Sequence, residues 1–199
     1  MMESRTAAHE DHFRAGKALG LNHLKLGMWL FIATEVMFFG GLLSAFLHYK
    51  VNNPSPSEAA LLDIVLVGIN TFVLLTSSFT VVLGLSAIQQ NQRRNFALFM
   101  GLTILLGSAF LAGQGYEFVH LYREGMTLNS SVYGSSFFTL TGFHGLHVLV
   151  GIVWAAVTMI RGIRGTYSSD RYEAVEVFGL YWHFVDIVWI VLFTLIYLT

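Results

Sequence analysis

The chain has 199 residues, of which 55% are hydrophobic and only 12% charged, with a mean hydropathy of +0.62. Soluble domains carry about 25% charged residues, so the composition indicates an integral membrane protein. A net charge of -1 offers no footprint for nucleic acid, and the absence of cysteine excludes disulfides, thiolate catalysis and Cys-ligated metal clusters.

The chain opens with a polar segment, residues 1–24, that carries Arg5, Arg14 and Lys17. It lacks the apolar centre of a secretory signal, so the N-terminus is expected to stay on the side where it is made. Five apolar runs follow, at about 25–49, 62–88, 95–121, 133–160 and 175–198. A hydrocarbon core about 30 Å thick needs roughly 20 residues of helix. Runs of this length without two-residue alternation are helices, which satisfy their own backbone in lipid. The connections are short. Asn52 to Ser57 is a breaker cluster holding both prolines, Gln89 to Asn95 is a polar turn, Arg123 to Ser131 is a polar loop, and Gly162 to Glu173 is the longest link. The fold expected is an all-α integral membrane protein, a bundle of five transmembrane helices in one membrane domain spanning 1–199.

Lysine and arginine set the orientation. Only Lys50 and Arg123 fall on one side of such a bundle; the other nine of the 11 basic residues fall on the opposite side. The N-terminus is therefore expected inside and the C-terminus outside.

Ionisable groups within the spans are functional candidates by default. Glu35 stands near the middle of the first run, with no other charge between Lys25 and Lys50. The second run offers Asn70, Thr71, Thr76, Ser77, Ser78 and Thr80. The third offers Gln114, Glu117 and His120, the fourth His144 and His147, and the fifth His183 and Asp186. Glu117 and His120, His144 and His147, and His183 and Asp186 are each spaced i, i+3, on one helix face. Such groups can ligate a metal or haem, relay protons, or hydrogen-bond across helices. The residues favour an internal or interhelical His–carboxylate pair for His183 and Asp186, and a satisfied interfacial pair for Glu117 and His120. His144 and His147 read as packing and hydrogen-bonding groups between Gly142, Gly145 and Gly151, which permit close helix approach. Glu35 is the position where a functional role stands level with a structural one. Trp29, Tyr49, Tyr181 and Tyr197 read as interface anchors.

Five phrases occur in order: KLGMWLFIATEVMFFGG at 25–41, NTFVLLTSSFTV at 70–81, GQGYEF at 113–118, VYGSSFFTLTGFHGLHVLVG at 132–151 and YWHFVDIVWIVLFTLIYL at 181–198. Together they resemble subunit III of the haem–copper oxidases, most closely that of cytochrome c oxidase, and the resemblance covers every span. The long form of that subunit has seven spans; this chain resembles its last five, as short bacterial forms do.

The resemblance implies a non-redox accessory subunit in a bacterial cytoplasmic membrane. Such a chain has no catalytic, cofactor or metal site of its own. Haem and copper lie in partner subunits, with subunit I as direct neighbour and subunits II and IV in the same complex. It would stabilise subunit I, bind phospholipid and support proton uptake. Glu35 matches the buried membrane carboxylate of the family, and Phe31 and Arg161 match lipid-contact positions. Glu117, His120, His144, His147, His183 and Asp186 match polar signature positions, carried over as structural only. Quinol oxidases and some nitric oxide reductases have related subunits; Glu35 and the phrase FHGLHV favour the cytochrome c branch. An intramembrane metal enzyme and a proton-coupled carrier are the remaining alternatives.

Overall fold

The computed structural model describes residues 23–53 and 56–198. Arg5, Arg14, Lys17, Pro54 and Ser55 lie outside the described residues. Five long helices follow in order: α1 (His23–Asn52), α3 (Ile64–Gln89), α4 (Arg93–Arg123), α5 (Val132–Ile163) and α6 (Glu173–Tyr197). A single extra turn, α2 (Pro56–Ala59), stands between α1 and α3, where the sequence suggests only a breaker cluster. The ends of the long helices differ from the apolar runs by less than one turn. All five are long and apolar enough to cross a membrane. The described residues contain no strand, only an isolated bridge between Ser168 and Arg171 in the α5–α6 loop.

Local chemistry fixes where the helices start and stop. Asp63 caps α3, its Oδ1 accepting from the backbone N–H of Val65 and Leu66 at 3.0 Å. Ser131 caps α5 in the same way, accepting from Gly134 N–H at 2.9 Å. The other ends of α3, α4 and α5 are closed by a residue with positive φ: Asn91 at 56°, Gly125 at 93° and Gly165 at 82°. The next residue then bonds back five positions, as Met126 N–H does to the Leu121 carbonyl at 3.0 Å. These turns reverse the chain sharply, so consecutive helices run antiparallel.

Helices α3, α4, α5 and α6 close on one another, and α1 lies against the outside of α5 and α6. The core is aromatic. Trp182, Trp189, Phe96, Phe110, Phe137 and Phe178 are fully buried. Helix α1 is thinly packed, with only Met28, Phe39 and Phe46 buried. Lipid tails are as apolar as leucine, so packing and interhelical hydrogen bonds, rather than expulsion from water, hold such a bundle together.

Close approach centres on Trp182. A Cβ on Gly151 of α5 would lie 2.6 Å from its ring, and one on Gly107 of α4 would lie 2.9 Å from it. Its indole N–H donates to Ser77 Oγ of α3 at 3.0 Å. One side chain of α6 therefore touches the three other core helices. Gly142, by contrast, faces open space, so the sequence expectation that it permits a close contact does not hold here.

Candidate functional site

Midway along α1, Glu35 reaches across to α5. Its Oε2 lies 3.2 Å from His147 Nε2, and both side chains are largely but not fully buried, at 17% and 18% exposure. The antiparallel run of the two helices brings residues 112 positions apart in sequence to one depth. His147 Nδ1 lies 2.7 Å from the carbonyl oxygen of Phe143, one turn earlier on its own helix. A carbonyl only accepts, so Nδ1 carries the hydrogen. A neutral imidazole in that tautomer has a bare Nε2. The contact to Glu35 therefore closes with one proton, held either by the carboxyl or by the imidazole. The contact is one ion pair or one neutral hydrogen bond tying α1 to α5.

The surroundings fix this geometry. Tyr181 of α6 donates its hydroxyl to the His147 carbonyl at 2.9 Å. Phe39 and Phe38 flank the imidazole, with ring centroids at 5.0 and 6.3 Å. On the lipid-facing side, Phe31, Leu146, His147, Val150, Trp154 and Tyr181 line a hollow of about 210 Å³. Phe31 is 42% exposed and its ring lies 6.3 Å from that of Tyr181. Arg161 is exposed near the far end of α5.

The remaining sequence candidates are distributed rather than gathered. His144 is fully buried but neither ring nitrogen has a hydrogen-bond partner; it stacks on Trp189 at 4.8 Å. The expected bond to a neighbouring backbone is replaced by aromatic packing. His183 and Asp186 do not pair. His183 Nδ1 lies 2.5 Å from Ser78 Oγ of α3, and the same hydroxyl is the polar neighbour of the buried Asp186 carboxyl. The i, i+3 spacing puts both on one face, but Ser78 of the facing helix takes the histidine. Glu117 and His120 part as well. Glu117 is buried and accepts from the Tyr197 hydroxyl at 3.0 and 3.1 Å, whereas His120 is exposed and stacks on Tyr116.

Sequence reasoning misplaced two residues. Tyr181 and Tyr197 read as interface anchors, yet both are buried and each donates to a polar group of another helix. Their signal was present: Tyr197 follows Phe193 by one turn on the inward face of α6, in register with the buried stripe Trp189, Leu192 and Ile196. Asn70 and Gln114, noted as polar, bridge α3 to α4 and α4 to α5 by donating to the carbonyls of Phe110 and Thr141 at 2.9 and 2.8 Å. Among the described residues, no three histidine or carboxylate side chains converge as a metal site would require.

Comparison with known proteins places this arrangement. The family model described as cytochrome c oxidase subunit III matches residues 4–199. The chain is 40% identical over 175 residues to cytochrome c oxidase subunit 3 of Bacillus subtilis, covering 87% of this chain and 84% of that protein. It is 41% identical over 180 residues to the protein of the same name from Corynebacterium diphtheriae, covering 88% of each. A probable quinol oxidase subunit 3 of Staphylococcus saprophyticus is 36% identical over 176 residues, 87% of this chain and 88% of that one. The long apolar helices fit a multi-pass membrane protein, and the oxidase to which such a subunit belongs is a multisubunit oxidoreductase. By the whole-length family match and by these identities, the chain belongs to the cytochrome c oxidase subunit III family of the haem–copper oxidases.

Proposed function

We propose that this chain is a non-redox scaffold of a proton-translocating cytochrome c oxidase in the bacterial cytoplasmic membrane. It packs directly on subunit I and shares the complex with subunits II and IV. Haem and copper sit in the partner subunits. The basic residues orient it with the N-terminus and the α3–α4 and α5–α6 loops on the cytoplasmic side. Phe31 and the neighbouring hollow serve a phospholipid tail, and Arg161, at the cytoplasmic end of α5, serves a head group. All 199 residues act as one membrane domain.

The observation that carries this reading is that the polar groups bonded between helices pair two by two instead of gathering at one point. Glu35 goes to His147, Ser77 to Trp182, Ser78 to His183, Thr71 to Trp189 and Glu117 to Tyr197, each a single bond between two helices. Bonds of this kind fix helix rotation and register, contributing about 0.6 to 2 kcal/mol each in a membrane. Chemistry on oxygen would instead require several such groups aimed at one point. Within this scaffold, Glu35 and His147 form a one-proton reservoir that supports sustained proton uptake by the neighbouring subunit. Glu117, His120, His144, His183 and Asp186 are structural.

Purification through a tag on the polar N-terminal segment tests the reading. Haem-containing oxidase subunits are expected to accompany the chain, with oxygen reduction by the eluate driven by reduced cytochrome c. Turnover driven by quinol alone would assign it to the other branch, which the 36% identity to a probable quinol oxidase subunit keeps in view. Glu35→Gln is expected to leave assembly and the initial rate intact, because no redox centre is touched. Complete early loss of turnover in that variant, or stoichiometric metal on the isolated chain, would overturn the scaffold role.

A further inference from the structure

A second hollow lies away from Glu35, at the opposite end of the bundle from the α3–α4 loop. Residues of α4, of α5 and of the loop that joins them line a groove of about 570 Å³. Its floor is an edge-to-face pair, Phe118 of α4 and Phe138 of α5, with ring centroids 5.1 Å apart. Val119 and Tyr122 form one wall, both more than half exposed. Leu128 forms the other, held over the groove because Ser135 donates to its carbonyl. Arg123 stands at the mouth. Its guanidinium makes no ion pair among the described residues, although Lys25 and His147 each have a carboxylate partner.

Depth decides what such a groove can hold. Helix α4 has 31 residues, about 46 Å of helix, against a hydrocarbon core of about 30 Å. Its last residue, Arg123, therefore reaches the head-group layer, while Phe118, five residues earlier, lies about 7.5 Å deeper, at the level of the acyl chains. The carbonyls that would repel an anion at this helix end are already spent: Glu124, Gly125 and Met126 N–H donate to His120, Tyr122 and Leu121. A cation at the rim and an aromatic floor at acyl depth match a molecule with an anionic head and an apolar tail. We propose that the α4–α5 groove is a binding site for an anionic phospholipid, its phosphodiester paired with Arg123 and one acyl chain laid over Phe118 and Phe138 beneath Leu128. This site is separate from the hollow beside Phe31 and does not depend on how Glu35 and His147 are used.

The test uses the intact oxidase complex in nanodiscs of phosphatidylcholine containing one-tenth phosphatidylglycerol, with a photo-reactive amino acid at Leu128. Mass spectrometry of the adducts reads what occupies the groove. Phosphatidylglycerol is expected in the adducts at about five times its share of the bilayer, the preference one cation gives near an anionic surface. Arg123→Gln is expected to return the adducts to the bilayer proportion without reducing their total yield. Arg123 is exposed, so this change spares the fold, and an unchanged circular dichroism spectrum will confirm it. Adducts at the bilayer proportion with Arg123 in place, an unchanged preference in Arg123→Gln, or cross-linking to a polypeptide instead of lipid would each overturn the proposal.

Discussion

Replacing Gly151 by alanine adds one methyl group where the bundle is tightest. The new Cβ would lie 2.6 Å from Trp182 Cζ3 and 2.8 Å from Cε3. Carbon atoms pack best at about 3.5–4.0 Å, so relief requires a movement of about 1 Å. The indole has little room to give. Its far side meets Gly107, where a Cβ would stand 2.9 Å away, and its N–H is held by Ser77 at 3.0 Å. Tyr181, whose ring would lie 3.2 Å from the same Cβ, is tied to the His147 carbonyl. Overpacking of this kind costs about 1–3 kcal/mol. Alanine also raises helix propensity by about 1 kcal/mol over glycine, which would mask part of the effect. Gly142→Ala, on the same helix and facing open space, isolates it, because the propensity gain is common to both. The unfolding midpoints of the two variants in one detergent should therefore differ by the packing cost, about 1–3 kcal/mol, with Gly151→Ala the weaker. Trp182→Phe introduced into Gly151→Ala should recover part of the loss, since residues in contact are not additive. Equal midpoints for Gly151→Ala and Gly142→Ala would refute the argument that Trp182 fixes the spacing of α4, α5 and α6.

Tyr197→Phe removes the donor to Glu117 and leaves a buried carboxyl without a partner. A loss of about 1–3 kcal/mol is expected, visible as a lower unfolding midpoint, and Glu117→Gln in the same background should not deepen it by a further equal amount. Lys25→Met breaks the 2.6 Å pair with Glu176, but Lys25 is 40% exposed. Such a pair contributes at most about 1 kcal/mol, so the midpoint should shift little and the residual effect should vanish at high salt.

Hydropathy made the five helices legible because each is a long apolar run, and three of them are closed by a cap or a positive-φ turn: Asp63 and Ser131 at the starts of α3 and α5, Asn91, Gly125 and Gly165 after the ends of α3, α4 and α5. Which polar groups meet was not legible. Spacing along one helix names residues on one face, and for His183 and Asp186 it suggested each other. The partner that His183 takes, Ser78, sits 105 residues away and is brought there by the rotation of α3. Glu35 had no visible partner because it sits on a helix packed outside the four-helix core, and its partner His147 is on an antiparallel helix of that core. The two tyrosines were misread for a related reason. An aromatic near a helix end belongs to the lipid interface only if it faces outward, and on the most buried helix of the bundle the inward positions 181 and 197 do not.

The placing of α1 gives the Glu35–His147 pair a structural meaning of its own. This helix buries only three residues and touches only α5 and α6 to any extent. Surrounded by lipid, an apolar helix gains little from exchanging lipid contacts for protein contacts, so its position rests on close packing and polar links. Three such links are spread along it. Lys25 meets Glu176 of α6 at one end, Glu35 meets His147 of α5 in the middle, and Lys50 donates to the Leu195 carbonyl of α6 at the other end, at 3.1 Å. The terminal links lie near the aqueous boundaries, where water competes for both partners. The central one lies at the depth where an unpaired carboxyl costs most. Of the three, the Glu35 link therefore contributes most to register: sliding α1 by one residue along α5 would strand the carboxyl against apolar side chains, whereas the lysines could follow on their flexible stems. The Glu35 side chain is thus the one that determines where α1 sits, through a single contact at the middle of the helix.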